Sequence, residues 1–264
     1  MANCKTEDER RKTEELIRPI LRGRDIKRYG YEWANLYLIA TFPARHYNIN
    51  DYPAIKDYLL SFAEDNLRDA GYDWVADHYL ADFCKQKLSQ TGKFVEIKGE
   101  RIILGNTPEK ARKKTSNKWF ETQDSISYWE DFFQPKIVYG QFQDGAEYSF
   151  AESGVFLSSN EYMLITHHYS SKCLLAFLNS KASEWLLGQL TGNLGCNAKI
   201  GQKSNFLKLS IAQLNVERQK LFEGYVDSIL GNIEDAKNYE ALIDREIYKV
   251  YGLTVDEIKV IESQ

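Results

Sequence analysis

The order of strand-like and helical patterns along the chain limits the folds that it can adopt. Both kinds of pattern occur up to about residue 211, where the alternating apolar residues of 93–104 and the apolar run at 137–139 indicate strands. From Val216 onward only helical periodicity occurs. Strands and helices do not alternate regularly, as they would in a doubly wound fold. The sequence therefore predicts an α+β fold, with a mixed-sheet domain followed by a helical C-terminal region.

The same patterns predict individual elements and a domain division. The predicted elements are a helix over 5–17, a buried strand over 35–42, helices over 51–66 and 74–88, a hairpin over 93–104, strands at 137–139 and within 154–165, one long helix over 171–190, a closing strand over 206–211, and tail helices to about 230, over 239–251 and from 255. The expected division is 1–17 as the end of a linker helix from an upstream domain, 18–211 as the main domain and 212–264 as a helical region.

Composition excludes several classes of protein. The chain has 264 residues, of which 43% are hydrophobic and 27% charged, as is usual for a globular protein with its own core. It has no apolar run long enough to cross a membrane, and its charged start is not a signal peptide, so we expect a cytoplasmic protein. The four cysteines form no CxxC pair, so neither a disulfide framework nor a zinc site is expected.

Charge is distributed unevenly along the chain. The net charge is −4, but residues 16–50 hold six basic and two acidic side chains, and residues 91–120 hold eight basic and three acidic. The tail at 217–264 holds six basic and eleven acidic side chains. The basic stretches could form one positive face on the folded chain, or they could be solvated surface.

Motifs of catalytic chemistry are scarce. The chain has no GxGxxG or P-loop pattern, and its adjacent histidines, His167 and His168, cannot form an HExxH arrangement. Cys173 lies where the apolar face of a helix begins, which favours a buried structural cysteine over a nucleophile. Glu96 and Lys98 form a Glu-x-Lys pattern on a predicted strand, which suggests an alternative function as a magnesium-dependent nuclease. Such a site needs a second acidic ligand, usually an aspartate on a preceding strand, and the nearest upstream aspartate, Asp82, lies in a predicted helix.

Several short motifs, taken in order, resemble one known family. They are Arg18-Pro19-Ile20-Leu21-Arg22-Gly23-Arg24-Asp25-Ile26-Lys27-Arg28-Tyr29 with Trp33 and Leu36 to Ile39, Tyr52-Pro53-Ala54-Ile55, Pro135-Lys136-Ile137-Val138-Tyr139, Leu178-Asn179-Ser180-Lys181, and Tyr248 to Thr254. This order resembles the TaqI-like C-terminal specificity domain, the target-recognition domain of adenine-specific DNA methyltransferases and type IIG restriction-modification enzymes. The chain departs from the family at Leu209-Ser210-Ile211, where a Pro-Ile-Pro-like ending is common, and at 70–120, which is long.

The resemblance implies a bacterial, cytoplasmic protein that binds double-stranded DNA and is not itself an enzyme. Its other partner would be a methyltransferase domain, either covalently linked or separate. The Asn/Asp-Pro-Pro-Tyr/Phe tetrapeptide of that domain and its S-adenosylmethionine motif do not occur in this sequence. We therefore expect no catalytic residue, metal or cofactor in this chain, with S-adenosylmethionine bound by the methyltransferase domain. The remaining alternative is a protein-interaction module that docks a partner subunit.

Candidate DNA contacts follow from the two tasks of a recognition domain, gripping phosphates and reading bases. In the opening motif, Arg22, Arg24, Lys27 and Arg28 could bind phosphates, or the arginines could pair with local acids such as Asp25. The phosphate-binding candidates at 110–118 include Lys113 and Lys114. The polar loop 191–205 has no acidic residue, and its candidate base-reading residues are Asn193, Asn197, Lys199, Gln202 and Lys203. An ordinary polar loop is the alternative there.

Overall fold

The structure is a computed structural model in which strands and helices form separate groups. It describes residues 3–59, 94–97, 100–103, 117–118, 120–122, 124–141, 147–191, 206–232 and 235–263. The helices are α1 (Glu7–Leu16), α2 (residues 53–59), α3 (Ser171–Leu178), α4 (Lys181–Thr191), α5 (Val216–Gly231), α6 (Ala236–Tyr251) and α7 (Val255–Glu262). The strands are β1 (Ile17–Leu21), β2 (Tyr37–Ile39), β3 (Phe94–Ile97), β4 (Glu100–Ile103), β5 (Lys136–Gly140), β6 (Ser149–Ala151), β7 (Phe156–Leu157) and β8 (Glu161–Leu164). Small mixed and antiparallel sheets with separate helices are an α+β fold, so the predicted class is confirmed.

The chain divides into two compact units, each assembled from segments that are distant in sequence. The first unit holds Met1–Arg18 and Leu38–Tyr128, and the second holds Pro19–Tyr37 and Trp129–Gln264. The chain passes from one unit to the other three times: within β1, within β2, and between Tyr128 and Trp129.

In the first unit, α1 confirms the helix expected at 5–17. The helix is capped by Thr6, whose hydroxyl accepts the backbone N–H of Glu9 at 3.1 Å, and its first turn is acidic. A small apolar cluster of buried side chains packs in this unit: Leu16, Ile49, Ile55 and Phe120. Strands β3 and β4 pair antiparallel, with Phe94 opposite Ile103, so the predicted hairpin is confirmed. The predicted helix at 74–88 lies outside the described residues.

In the second unit, strand β5 is the centre of a three-stranded antiparallel sheet with the order β6-β5-β8. All five of its residues are buried, as expected for a strand covered on both faces. Side chains alternate between the faces. Val138 faces a cluster with Leu21 and Ile26 of the opening motif, whereas Ile137 and Tyr139 face the core that the helices cover. The sheet therefore lies between the opening segment and the helices.

The long helix expected at 171–190 is wrong in one respect, because it is broken into α3 and α4. The break falls at Asn179, whose side chain is fully buried and bonds to the backbone of Tyr148 instead of continuing the helix. The next residue, Ser180, donates its hydroxyl to the carbonyl of Phe177 and accepts the N–H of Ser183 at 3.2 Å, which starts the second helix. The Leu-Asn-Ser-Lys motif is thus a helix–helix junction.

The three predicted C-terminal helices form, although the second begins at Ala236 rather than at the expected residue 239. Asn215 caps α5 by accepting the N–H of Arg218 at 2.9 Å, and Gly252 ends α6 with a φ of +63°, a conformation that favours glycine. Thr254 and Glu257 form a capping box at the start of α7. The apolar faces of these helices join the core of the second unit through Phe222, Val226, Ile229, Ile243 and Ile247.

Two predicted strands differ from the structure. Residues 206–211 form no strand, because the carbonyl of Ser210 accepts a hydrogen bond from the hydroxyl of Tyr251 (2.7 Å) rather than from a neighbouring strand. The buried strand expected at 35–42 shortens to Tyr37–Ile39, and Tyr37 is exposed. Across the described ranges, no helix is long and apolar enough to cross a membrane.

Candidate nucleic-acid interface

The opening motif forms a tight turn that is closed by an ion pair. Both Nε and one terminal nitrogen of Arg22 donate to the carboxylate of Asp25, at 3.0 and 2.7 Å, and the backbone N–H of Arg22 donates to the same carboxylate at 2.9 Å. A Cβ on Gly23 would lie 3.0 Å from Oε1 of Glu161, so a larger residue would require the flexible side chain of Glu161 to move by a few tenths of an ångström. The turn therefore packs closely against the Glu161 side chain of β8.

The carboxylate of Asp25 is buried, and the bonds from the Arg22 side chain hold its pKa below the ordinary value. A carboxyl whose pKa is lowered by folding stabilises the protein above its unfolded pKa of about 3.9, and that contribution is lost as the pH falls through the lowered value. We therefore expect Asp25→Asn to lower the melting temperature at pH 7. The difference in melting temperature between Asp25→Asn and the wild type should become smaller as the pH falls below about 4.

Thermal melts at several pH values measure this effect. Asp256→Asn, which changes an exposed aspartate in α7, serves as the control and should leave the melting temperature nearly unchanged. A difference between wild type and Asp25→Asn that stays constant from pH 7 to pH 2 would contradict the role given to the Arg22 ion pair.

The four basic candidates of the opening motif separate into two pairs. Arg22 is paired with Asp25, and Arg28 donates to the carboxylate of Glu240 in α6 and to the backbone carbonyl of Asn179. The side chains of Arg24 and Lys27 are exposed, and the amine of Lys27 donates to the carbonyl of Arg24 at 3.1 Å. Arg22 and Arg28 are therefore engaged in bonds that stabilise the fold, whereas Arg24 and Lys27 are accessible to a ligand. DNA contact by any of the four stays a prediction.

The other predicted DNA contacts lie outside the described residues: Lys113, Lys114, Asn193, Asn197, Lys199, Gln202 and Lys203. Their flanks are described. Segment 110–118 is followed by a turn in which Glu121, a buried carboxylate, accepts the backbone N–H of Lys118 at 2.7 Å. Loop 191–205 begins at the end of α4 and is followed by Phe206.

Phe206 belongs to a stack of three aromatic rings that the sequence did not single out. Its ring lies 5.6 Å from that of Tyr139, at an interplanar angle of 11°, and Tyr139 in turn stacks on Tyr162 at 5.4 Å. Tyr139 and Tyr162 are directly opposite each other in the β5–β8 pair, and Tyr162 is 37% exposed. Pairing β5 with β8 in this register would have predicted the contact between Tyr139 and Tyr162 from the sequence.

The groups considered for catalysis lie in unremarkable surroundings. Burial raises the pKa of the Cys173 thiol to about 12, which favours the structural interpretation over a nucleophile. His167 and His168 are exposed. Within the described ranges, no group of three His, Cys, Asp or Glu side chains is placed to hold a metal ion. Glu96 lies on β3 opposite Arg101, and Lys98 lies outside the described residues, so the nuclease alternative is not tested here.

Comparison with known proteins gives the class of this chain. Residues 18–215 match the family model described as the TaqI-like C-terminal specificity domain. The match covers most of the chain, so the chain belongs to this family, whose members are specificity domains of restriction-modification enzymes. No curated protein is similar enough to be counted as a relative. The match ends at Asn215, the cap of α5, so α5, α6 and α7 follow the matched region.

Proposed function

We propose that this chain recognises a DNA sequence for an adenine-N6 DNA methyltransferase or a type IIG restriction-modification enzyme, and that it carries no catalytic step itself. The family match over 18–215 carries this proposal. In such an enzyme, S-adenosylmethionine and the reacting adenine would be bound by a methyltransferase domain, while this chain would set the position of the enzyme on double-stranded DNA.

Phosphate contacts would come from basic side chains that the fold leaves accessible. Arg24 and Lys27 are exposed on the opening turn, and the lysines of 110–118 add further positive charge. Such contacts give affinity and register but carry no sequence information. Arg22 and Arg28 would act indirectly, because their ion pairs hold the turn and its neighbours in place.

Base reading would come from the polar loop 191–205. Its asparagine and glutamine side chains can bond to adenine through two atoms, and its lysines can reach the acceptors of guanine. The loop has no acidic residue to repel phosphates. Both flanks are attached to the core of the second unit, through α4 before the loop and Phe206 after it.

Duplex binding measured by fluorescence anisotropy tests this function. The chain should bind randomised duplex DNA more weakly as salt rises, and selection of the bound fraction should enrich a short motif. Arg24→Ala and Lys27→Ala should each weaken binding to all sequences and reduce the salt slope by about 1. Asn197→Ala, Lys199→Ala or Gln202→Ala should relax the motif at one position, with about 1–3 kcal/mol of discrimination lost.

Lys259→Ala, in the acidic C-terminal region, is the matched control and should alter neither affinity nor motif, because its ion pair with Asp256 is exposed. Binding that is insensitive to salt, or a bound fraction without an enriched motif, would contradict the proposal. DNA cleavage that requires magnesium and is abolished by Glu96→Gln would favour the nuclease alternative instead.

A further inference from the structure

Residues 33–37 form an exposed apolar turn in the second unit. Leu36 is 39% exposed and Tyr37 is 57% exposed, and Ala34 beside them is exposed as well. Single apolar side chains at a surface are common, but neighbouring ones that are exposed together are typical of interaction sites. Trp33 and Leu36 belong to the opening motif, yet the phosphate contacts proposed for that motif use only its cations. The apolar turn is therefore a part of the motif that still lacks a role.

Hydrogen bonds to one carbonyl group hold the apolar turn in place. The carbonyl of Leu36 accepts the indole N–H of Trp33 at 3.1 Å and the backbone N–H of Ile20 in β1 at 3.1 Å. Asn35 has a φ of +55°, a conformation that costs free energy in a residue other than glycine and persists only where its surroundings hold it. The rings of Trp33 and Tyr37 meet edge-on with their centroids 5.0 Å apart, which restricts the Tyr37 ring. The exposed side chains are thus presented in a fixed geometry, so they lose less entropy on binding.

Paired backbone connects the apolar turn to the basic opening turn. The backbone N–H of Glu32 donates to the carbonyl of Asp25 at 2.8 Å, and Ile26 forms an isolated antiparallel bridge with Tyr31. The next residue, Trp33, packs against the apolar cluster that contains Ile26. The two turns therefore lie side by side within residues 19–37, and all of these residues belong to the second unit.

The exposed charges of residues 19–37 are two cations and one carboxylate, namely Arg24, Lys27 and Glu32. Cations next to exposed aromatic and aliphatic side chains can bind the phosphates and the bases of the same DNA. A base that has lost its stacking neighbour presents an apolar face, and apolar side chains of proteins insert at such steps. The adjacent cations favour DNA over an apolar protein surface as the occupant of this turn.

We propose that the apolar turn contacts DNA bases directly, with the ring of Tyr37 stacked on a base where the duplex is unstacked and with Leu36 beside it. This proposal rests on the proposed function, because it requires that Arg24 and Lys27 hold phosphates of the same DNA. Unstacking a duplex costs free energy, and the cost is smaller where a base is damaged or missing. The turn should therefore give the chain a preference for DNA that has a gap in its stack.

Anisotropy measurements on the full chain test this preference with two duplexes of the same scrambled sequence, one fully paired and one with a single central abasic site. We expect the abasic duplex to bind about tenfold more tightly, within the range for one base stacked on an aromatic side chain. Tyr37→Ala should abolish the preference, whereas Tyr37→Phe should keep it because the ring is retained. Arg24→Ala should weaken binding to both duplexes equally and leave their ratio unchanged, since it removes a phosphate contact alone.

Two further variants make the test specific to the turn. Leu36→Ala should reduce the preference while keeping the backbone carbonyl that holds the turn. Val260→Ala is the matched control, because Val260 in α7 is 53% exposed and lies outside the opening motif, and it should keep the wild-type ratio.

The outcomes separate this proposal from the proposed function. If the wild type binds both duplexes equally, or if Tyr37→Ala keeps the preference, the base contact is overturned while salt-dependent recognition of a motif stands. If Tyr37→Ala and Leu36→Ala weaken binding to both duplexes by the same factor, the turn serves the fold alone and the base contact is again overturned. If the wild type binds neither duplex at low salt, the proposed function fails, and this inference with it.

Discussion

Lys136→Met is expected to lower the free energy of unfolding by about 3–5 kcal/mol, because it removes a buried ammonium group that donates hydrogen bonds to three backbone carbonyls. Lys136 is fully buried, and its amine donates to the carbonyls of Phe132, Gln134 and Glu152 at 2.8, 3.1 and 3.1 Å. Burial lowers the pKa of this amine to about 8, so at pH 7 it still carries its proton and has three N–H groups to donate. Methionine matches the length of the side chain but supplies no donor.

Urea denaturation of the full chain measures this loss. Lys259→Met is the control, because it removes a lysine whose ion pair is exposed, and surface changes of this kind usually alter stability by less than about 0.5 kcal/mol. A loss below about 1 kcal/mol for Lys136→Met would contradict the prediction, because it would show that the three hydrogen bonds of the buried amine contribute little to stability.

Asn179→Ala is expected to lower the free energy of unfolding by about 2–4 kcal/mol, because it also removes a buried side chain that bonds to the backbone. The side-chain oxygen of Asn179 accepts the N–H of Tyr148 at 3.1 Å, and its nitrogen donates to the carbonyl of the same residue at 2.8 Å. The amide therefore pairs with the backbone beside β6 as a neighbouring strand would. Alanine would leave the N–H of Tyr148 buried without an acceptor, although its carbonyl would still accept the N–H of Tyr29 at 2.8 Å, and it would also loosen the junction between α3 and α4.

Two further variants sharpen this second prediction. Asn179→Asp keeps an acceptor but has no N–H for the Tyr148 carbonyl, so it should also destabilise the chain. Asn238→Ala, at an exposed position of α6, is the control and should change the free energy of unfolding by no more than about 0.5 kcal/mol. If Asn179→Ala unfolds at the same urea concentration as Asn238→Ala, the paired amide does not stabilise the junction.

Local patterns were sufficient to predict the elements with strong periodicity and clear end signals. Helices α1, α5, α6 and α7, strand β5 and the β3–β4 hairpin all form where the sequence indicates. The break at Asn179 was missed because apolar periodicity continues on both sides of it, and its cause is a bond to Tyr148, 31 residues away. The strand expected at 206–211 was wrong because alternation shows which residues can be buried, and not whether a pairing strand is present.

For the candidate site, the sequence was sufficient to identify the family, but it did not show which of the basic side chains are engaged in the fold. The ordered motifs identified the family, and the matched region confirms it. A basic stretch does not reveal which of its cations face the core, since that depends on acids supplied by the rest of the fold. Asp25 was close enough in sequence to be considered as a partner for Arg22. Glu240, the partner of Arg28, is 212 residues away and could not be.

The bond between Arg28 and Glu240 also has a consequence for how the chain is made. During synthesis the opening motif leaves the ribosome 212 residues before its partner in α6. Contacts between residues so distant in sequence form late in folding, because closing the long loop between them loses entropy before the contact contributes any stabilising free energy. The bond from Arg28 to Glu240 therefore forms only after α6 has been synthesised. The second unit completes its fold only when both segments have been released.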